Sequence, residues 1–360
     1  MLPQSGHELY QMSSALPIMS KIIETLLPPK KIKNLTKNLC IPYSKAMGKI
    51  MERKILAAVD GSTFSFNALH YLSRLFTDLE DVSVHLLCVV PGGQAAVGME
   101  WLDERDKMTM VSKQVRAKLS AAKRFMEEAV LQLGRRGIAP DQVSTSIKLS
   151  QRGVAADILT EAQKGLYDAM LIGRRGIGRI EELFMGSSIS TEMVEKCFHM
   201  PIWIVDGRVH SRKFLLPVDS SFNSLKAADH LGFILENNPY VEISLLHLSC
   251  IVGGNTAADM TALHKMWGKE WCERHLSQSD AIFHGPEQIL LDRGIDSQRI
   301  HRLGGAVGLR PHAHIVRHSS KNDCGTIVIG RREKRENGIL GGVSDSVLSM
   351  AKHMAIWVIG

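Results

Sequence analysis

Four segments of this 360-residue chain occur twice, in the same order. KILAAVDGSTFSFNAL (54–69) returns as KFLLPVDSSFNSLKAA (213–228), and VHLLCVV (84–90) returns as ISLLHLS (243–249). DAMLIGRRG (168–176) returns as GTIVIGRRE (325–333), and HMPIWIV (199–205) as HMAIWVI (353–359). The offset is 159 residues between Asp60 and Asp219, 157 between Gly173 and Gly330, and 154 between Trp203 and Trp357. Such slow drift is that of two copies diverging by small deletions, so both must fold alike.

Each copy alternates short apolar runs with helical patterns. In the first, an apolar strand at 54–59 ends in Asp60-Gly61-Ser62, a turn-and-cap signal. Apolar periodicity from Ala68 to Phe76 predicts a helix, 84–90 a buried strand, and about 103–134 a long helix. A strand near 143–149, a helix near 154–164, a strand at 169–172, a helix at 188–196 and a strand at 202–205 follow. Continuously apolar strands separated by helices indicate a parallel sheet covered on both faces. The expected fold is α/β: two tandem, doubly wound, five-stranded parallel-sheet domains of Rossmann-like type. The expected divisions are a leader at 1–50, a first domain at 51–207 and a second at 211–360. In such sheets ligands sit outside the carboxyl ends of the strands, where strand order reverses, and both Asp60 and Gly173 fall at those ends.

The net charge of +7 resembles that of a nucleic-acid binder until it is located. Seven lysines against Glu8 and Glu24 put +5 into residues 1–50, leaving +2 for the rest. With no basic stripe interleaved with aromatics, no nucleic-acid partner is expected. Six cysteines are scattered without a CxxC pair, and Cys88, Cys197 and Cys250 sit in or beside apolar runs. They read as small buried hydrophobes in a reducing cytoplasm, and no structural zinc is expected.

The segment GRRGIGRIEELFMGSS (173–188) carries the spacing Gly-x2-Gly-x9-Gly-Ser. Glycines admit backbone N–H groups close to an anion, and a helix N-terminus adds unpaired donors and a positive dipole end. Ser187 and Ser188 add hydroxyls, and Arg174 or Arg175 adds charge. On spacing and context the segment reads equally as a phosphate cradle or as a tight strand-to-helix turn.

AAVDGS, DAMLIGRRGIGRIEELFMGSS and HMPIWIV together resemble the ATP-binding branch of the universal stress protein family. The two copies, about 54–206 and 213–360, cover nearly everything after the leader. The resemblance implies an adenine nucleotide (ATP, or ADP or AMP) and favours the cradle over the turn. Asp60 and the backbone around Val59 and Val89 would hold the adenosine, at the strand ends that include Ile172. Gly173, Arg174, Gly176, Gly186, Ser187 and Ser188 would hold the phosphates, with Mg2+ as an optional bridge. It also implies that the two copies pack as an intramolecular pseudo-dimer, with a further homodimer left open.

The second copy departs from the pattern. Ser220 replaces Gly61, Glu333 replaces the second loop glycine, and the loop is one residue shorter before Gly342. A carboxylate at a phosphate position repels the ligand, although Arg331, Arg332, Lys334 and Arg335 offset part of that charge. The expectation is one competent site, in the first copy.

Other candidates have plainer readings. His312, His314 and His318 lack a further ligand and read as a helix face. Asp168 reads as a strand-edge cap, and Trp203 and Trp357 as core or subunit packing. In the leader, Ser14 caps an apolar stripe from Ala15 to Leu27 that Pro28-Pro29 stops. Docking of that helix on the body or on a partner subunit outweighs a membrane-surface anchor. The absence of arginine from 1–50 argues against a transit peptide.

No GxxxxGK[ST], no GxGxxG after a strand and no defensible triad or carboxylate pair is present, so no catalytic residue is assigned. The primary expectation is a stress-response regulator that binds ATP. The alternatives are a slow ATP hydrolase or adenylyl-transfer enzyme using the same pocket, and an interaction scaffold that binds no nucleotide.

Overall fold

The computed structural model describes residues 52–77, 79–91, 113–174, 193–194, 197, 199–219, 221–236, 238–249, 260–307, 310–331 and 343–360. The leader, Cys40 and Cys250 lie outside these residues, as does the expected helical stretch 103–112.

Residues of β1 (Arg53–Ala58) alternate between two cores. Ile55, Ala57 and Val59 join one cluster, and Leu56 and Ala58 the other. A strand buried on both faces needs apolar residues at successive positions rather than at alternate ones, which is why the run KILAAV is continuous. The same holds for β4 (Ala169–Gly173), β5 (Ile202–Val205) and β10 (Ala355–Ile359), in which every residue is buried. Each Leu or Ile removed from water contributes roughly 1.5–3 kcal/mol, so these strands anchor the fold.

The first copy continues with α1 (Thr63–Leu75), β2 (Val82–Val90), α2 (Lys113–Gly134), β3 (Val143–Leu149) and α3 (Val154–Lys164). The second contains β6 (Lys213–Val218), α4 (Phe222–Leu235), β7 (Glu242–Ser249), α5 (Met260–Trp267), α6 (Lys269–Leu276) and α7 (Ala281–Asp292). It continues with β8 (Ile300–Val307), α8 (Pro311–Lys321), β9 (Thr326–Gly330) and α9 (Val343–Met350), before β10. Helix α1 starts five residues earlier than the apolar periodicity predicts. The Ser62 side chain caps it by accepting from the Ser65 N–H at 3.3 Å, and a cap is set by hydrogen bonding rather than by periodicity. Ser221 does the same for α4 through Ser224 N–H at 3.2 Å.

The strands form one ten-stranded sheet in the order β3-β2-β1-β4-β5-β10-β9-β6-β7-β8. Each half is parallel and doubly wound, with order 3-2-1-4-5 in the first and its counterpart 8-7-6-9-10 in the second. The halves meet where β5 and β10 pair antiparallel, with Trp203 opposite Trp357. Among the described residues no helix is long and apolar enough to cross a membrane.

Candidate functional site

In the first half β1 is flanked by β2 on one side and β4 on the other, so strand order reverses at β1. The carboxyl ends of β2, β1 and β4 therefore bring Val89, Val59, Asp60, Ile172 and Gly173 to one crevice. The register sets Ala58 against both Leu87 and Ile172. Val59, Val89 and Ile172 are buried, and Asp60 is exposed.

Asp60 is built into a local turn. Its Oδ1 accepts from Ser62 N–H at 3.0 Å and from the Ser65 hydroxyl at 2.5 Å, while its own N–H donates to Ser65 Oγ at 3.0 Å. This Asx-type turn leads into α1, and Gly61 completes it with φ +78°, a conformation that side chains disfavour. The second carboxylate oxygen, Oδ2, has no partner among the described residues. The second half repeats the turn with Asp219 accepting from Ser221 N–H at 3.1 Å. The repeated Asp-x-Ser-x-x-Ser pattern is therefore first of all a helix-start device.

Gly173 closes the crevice from the β4 side. A Cβ there would lie 2.8 Å from the Phe64 carbonyl, so only glycine lets the end of β4 approach the first turn of α1 this closely. At the equivalent Gly330 a Cβ would lie 2.2 Å from the Asn223 carbonyl oxygen. Close packing explains why this glycine recurs even where the loop after it has diverged.

The two halves differ beside β1 and β6. Val59 N–H donates to Leu87 O at 2.9 Å, and no described residue donates to the Val59 carbonyl. The equivalent Val218 carbonyl accepts from His247 Nδ1 at 3.0 Å. His247 stands where the first copy has Cys88, and its ring packs edge-on against Phe283 at 6.2 Å. Phe222 and Trp267 pack edge-on at 5.9 Å and add further aromatic bulk to this half. In the first half the smaller Cys88 stands at the position of His247, buried in the core. Burial, and then the Asp60 carboxylate, push its thiol up to about 11, so it stays neutral near pH 7. Among the described residues, the chemistry on offer in the first half is thus a backbone acceptor and a carboxylate oxygen without donors, beside an apolar wall.

Arg174 is occupied elsewhere. Its N–H donates to Val205 O at 3.0 Å, and its guanidinium reaches the carbonyls of Leu348 and Ala351, with Asp206 at 3.4 Å. These carbonyls end α9, so the charge expected for a phosphate caps a helix of the other half instead. Arg331 does the reciprocal, reaching the carbonyl of Val194 from the second half. The doubled Gly-Arg-Arg was the sequence signal for this pair of clasps, but nothing local says where each arginine points. Arg175, Gly176, Gly186, Ser187 and Ser188 lie outside the described residues, as do Arg332, Glu333, Lys334, Arg335, Gly342 and most of the expected helix 188–196.

Asp168 Oδ2 accepts from Lys54 N–H at 2.8 Å and so caps the strand edge between β4 and β1. His312, His314 and His318 lie on α8, partly buried. Among the described residues no three of His, Cys, Asp and Glu gather as metal ligands.

The family model described as the Universal stress protein family matches residues 51–205. A universal stress protein from Archaeoglobus fulgidus DSM 4304 shares the fold, with TM-score 0.53 and 17% identity, covering 86% of this chain and 97% of that one. Universal stress protein UspA from Lactobacillus plantarum aligns over 43% of this chain and 97% of its own, at 15% identity and TM-score 0.33. A universal stress protein from Archaeoglobus fulgidus in complex with dAMP aligns over 42% of this chain and 96% of its own, at 16% identity and TM-score 0.29. No curated protein sequence matches the chain. The strand order and the crevice at the reversal point lie in the segment that matches: residues 51–205 fit the model of the universal stress protein family.

Proposed function

We propose that the chain is a stress-response regulator that binds one adenine nucleotide, ATP in the first instance, in its first domain (51–207). The observation that carries this reading is the difference at the strand ends. Among the described residues nothing donates to the Val59 carbonyl or to Asp60 Oδ2, whereas the equivalent Val218 carbonyl accepts from His247. An adenine amino group is a donor suited to the first, and a ribose hydroxyl is a donor suited to the second. The match of 51–205 to the universal stress protein family model supports the same reading. Gly176, Gly186, Ser187 and Ser188 would carry the phosphates, with Mg2+ bridging them. The second domain (211–360) is then degenerate in binding and packs with the first as an intramolecular pseudo-dimer. The chain acts in the cytoplasm.

Calorimetric titration with ATP and Mg2+ tests this directly. One nucleotide per chain, lost in Gly176→Glu, is the expected result. Two equivalent sites would overturn the assignment of the second domain, and the absence of any saturable heat would overturn nucleotide binding itself.

A further inference from the structure

The halves also differ at the turn that follows α2 and α7. Gly137 and Gly294 hold the same left-handed conformation, with φ of +90° and +83°. Ile138 N–H donates to Leu133 O at 3.2 Å and Ile295 N–H to Leu290 O at 3.1 Å, so the two turns superpose in detail. The arginine before each glycine reaches back to the same position of the first helix of its half. In the second half Arg293 meets Asp229, with Nε and Nη2 donating to Oδ1 at 3.0 and 2.6 Å. In the first half Arg136 meets His70, the residue equivalent to Asp229, and donates to its Nδ1.

The first half has therefore kept the arginine and lost its carboxylate. It has also gained charge, because Arg74 stands where the second half has Phe233. Arg74 donates to the backbone carbonyl of His210 at 2.7 Å, and the rings of His70 and His210 lie 6.0 Å apart, edge to face. Arg208 lies two residues before His210 on the same segment and is exposed. Burial first, then Arg136, Arg74, His210 and Arg208, hold the imidazole of His70 down to about 4, so it is neutral at pH 7. Among the described residues no carboxylate pairs with Arg74, Arg136 or Arg208. Arg74 and Arg136 thus flank a half-buried His70 at the surface, with the exposed Arg208 and His210 on the adjoining segment and no paired carboxylate among the described residues.

We propose that His70, Arg74, Arg136, Arg208 and His210 form an anion site for the phosphoryl group of a small phosphorylated molecule, seated where Asp229 sits in the second half. A phosphoryl dianion suits this cluster better than a carboxylate, because its oxygens accept from several guanidinium forks at once. The site is separate from the strand-end crevice. His70 and Arg74 lie seven and eleven residues along α1 from Thr63, roughly 10–17 Å at the helical rise. A ligand there would bridge α1, the turn after α2 and the segment 206–212 that joins the halves.

Calorimetry with inorganic phosphate tests this site in the full-length chain, using the Gly176→Glu variant to remove any binding by the glycine loop. The expected result is saturable binding in both wild type and Gly176→Glu. Affinity should fall about tenfold or more in Arg136→Gln and in His70→Asp. His70→Asp is the sharper variant because it installs the second half's own ion pair and so preserves folding. Acetate at equal ionic strength should not compete. Phosphate binding that survives both substitutions, binding that vanishes in Gly176→Glu alone, or no saturable heat at millimolar phosphate would each overturn the assignment.

Discussion

The indole rings of Trp203 and Trp357 stack with centroids 4.0 Å apart and planes 6° from parallel. They face each other across the antiparallel β5–β10 pairing that joins the halves, and neither is exposed. Phe76 stacks on Trp203 and Phe214 packs edge-on against Trp357, so this pair sits in the core that both copies share. Trp357→Ala should cost about 3–5 kcal/mol, because a ring-sized cavity at a sheet junction cannot collapse. Urea unfolding that shows less than about 1 kcal/mol of loss would mean that the two copies are stable without this contact.

Beside the stack, Trp203 Nε1 donates to His230 Nε2 at 3.3 Å, which requires that nitrogen to be unprotonated. Burial, and then Arg293, push the His230 pKa down from 6.5 to about 3. Between these values the unfolded chain binds a proton that the folded chain does not. His230 therefore leaves stability intact above about pH 6.5 and lowers it progressively as the pH falls towards 3. The urea midpoint of the native chain should drop between about pH 7 and pH 4, and His230→Gln should flatten that slope. An unchanged slope in the variant would assign the acid sensitivity to other groups.

The reciprocal clasps of Arg174 and Arg331 should behave as two separate contributions. Arg331 is buried, and losing it strands the Val194 carbonyl, so Arg331→Gln should cost about 1–3 kcal/mol. Arg174 is more exposed and its loss leaves carbonyls that water can reach, so Arg174→Gln should cost about 1 kcal/mol. The double variant should show the sum, since among the described residues the two guanidinium groups reach different carbonyls. A large departure from additivity in thermal or urea unfolding would mean that the clasps are linked through the strand pairing between them.

Gly173 tests the packing account of the loop entrance. Gly173→Ala sets a methyl against the Phe64 carbonyl and should cost about 1–3 kcal/mol, weakening nucleotide binding as α1 and β4 are pushed apart. Gly330→Ala, with the tighter approach to Asn223, should destabilise more without changing nucleotide affinity. Equal loss of affinity in both variants would show that the effect is global rather than local to the first crevice.

Much of the fold was legible because its determinants are local. The continuous apolar runs, the Asp-Gly-Ser turn and the spacing of the two copies each act within a few residues, and they lead directly to two parallel α/β halves with Asp60 and Gly173 at adjacent strand ends. Apolar periodicity alone begins α1 at Ala68, five residues late, and the cap signal at Ser62 marks its true start.

What the chain alone could not reveal was the destination of long side chains and the relation between the copies. Arg174 read as a phosphate ligand from its place beside the glycines, yet its guanidinium caps α9 some 174 residues away in sequence. Nothing local marks His247 within its strand, and only the β6–β7 register sets it against the Val218 carbonyl. Arg136 and Arg293 are indistinguishable in their local turns, and only the helix packed against each shows that one has a carboxylate and the other does not. Backbone pattern and capping are encoded over a turn or a strand, and so the sequence by itself determined the architecture. Charge pairing and the filling of a crevice depend on residues far apart along the chain, and only the tertiary structure decided them.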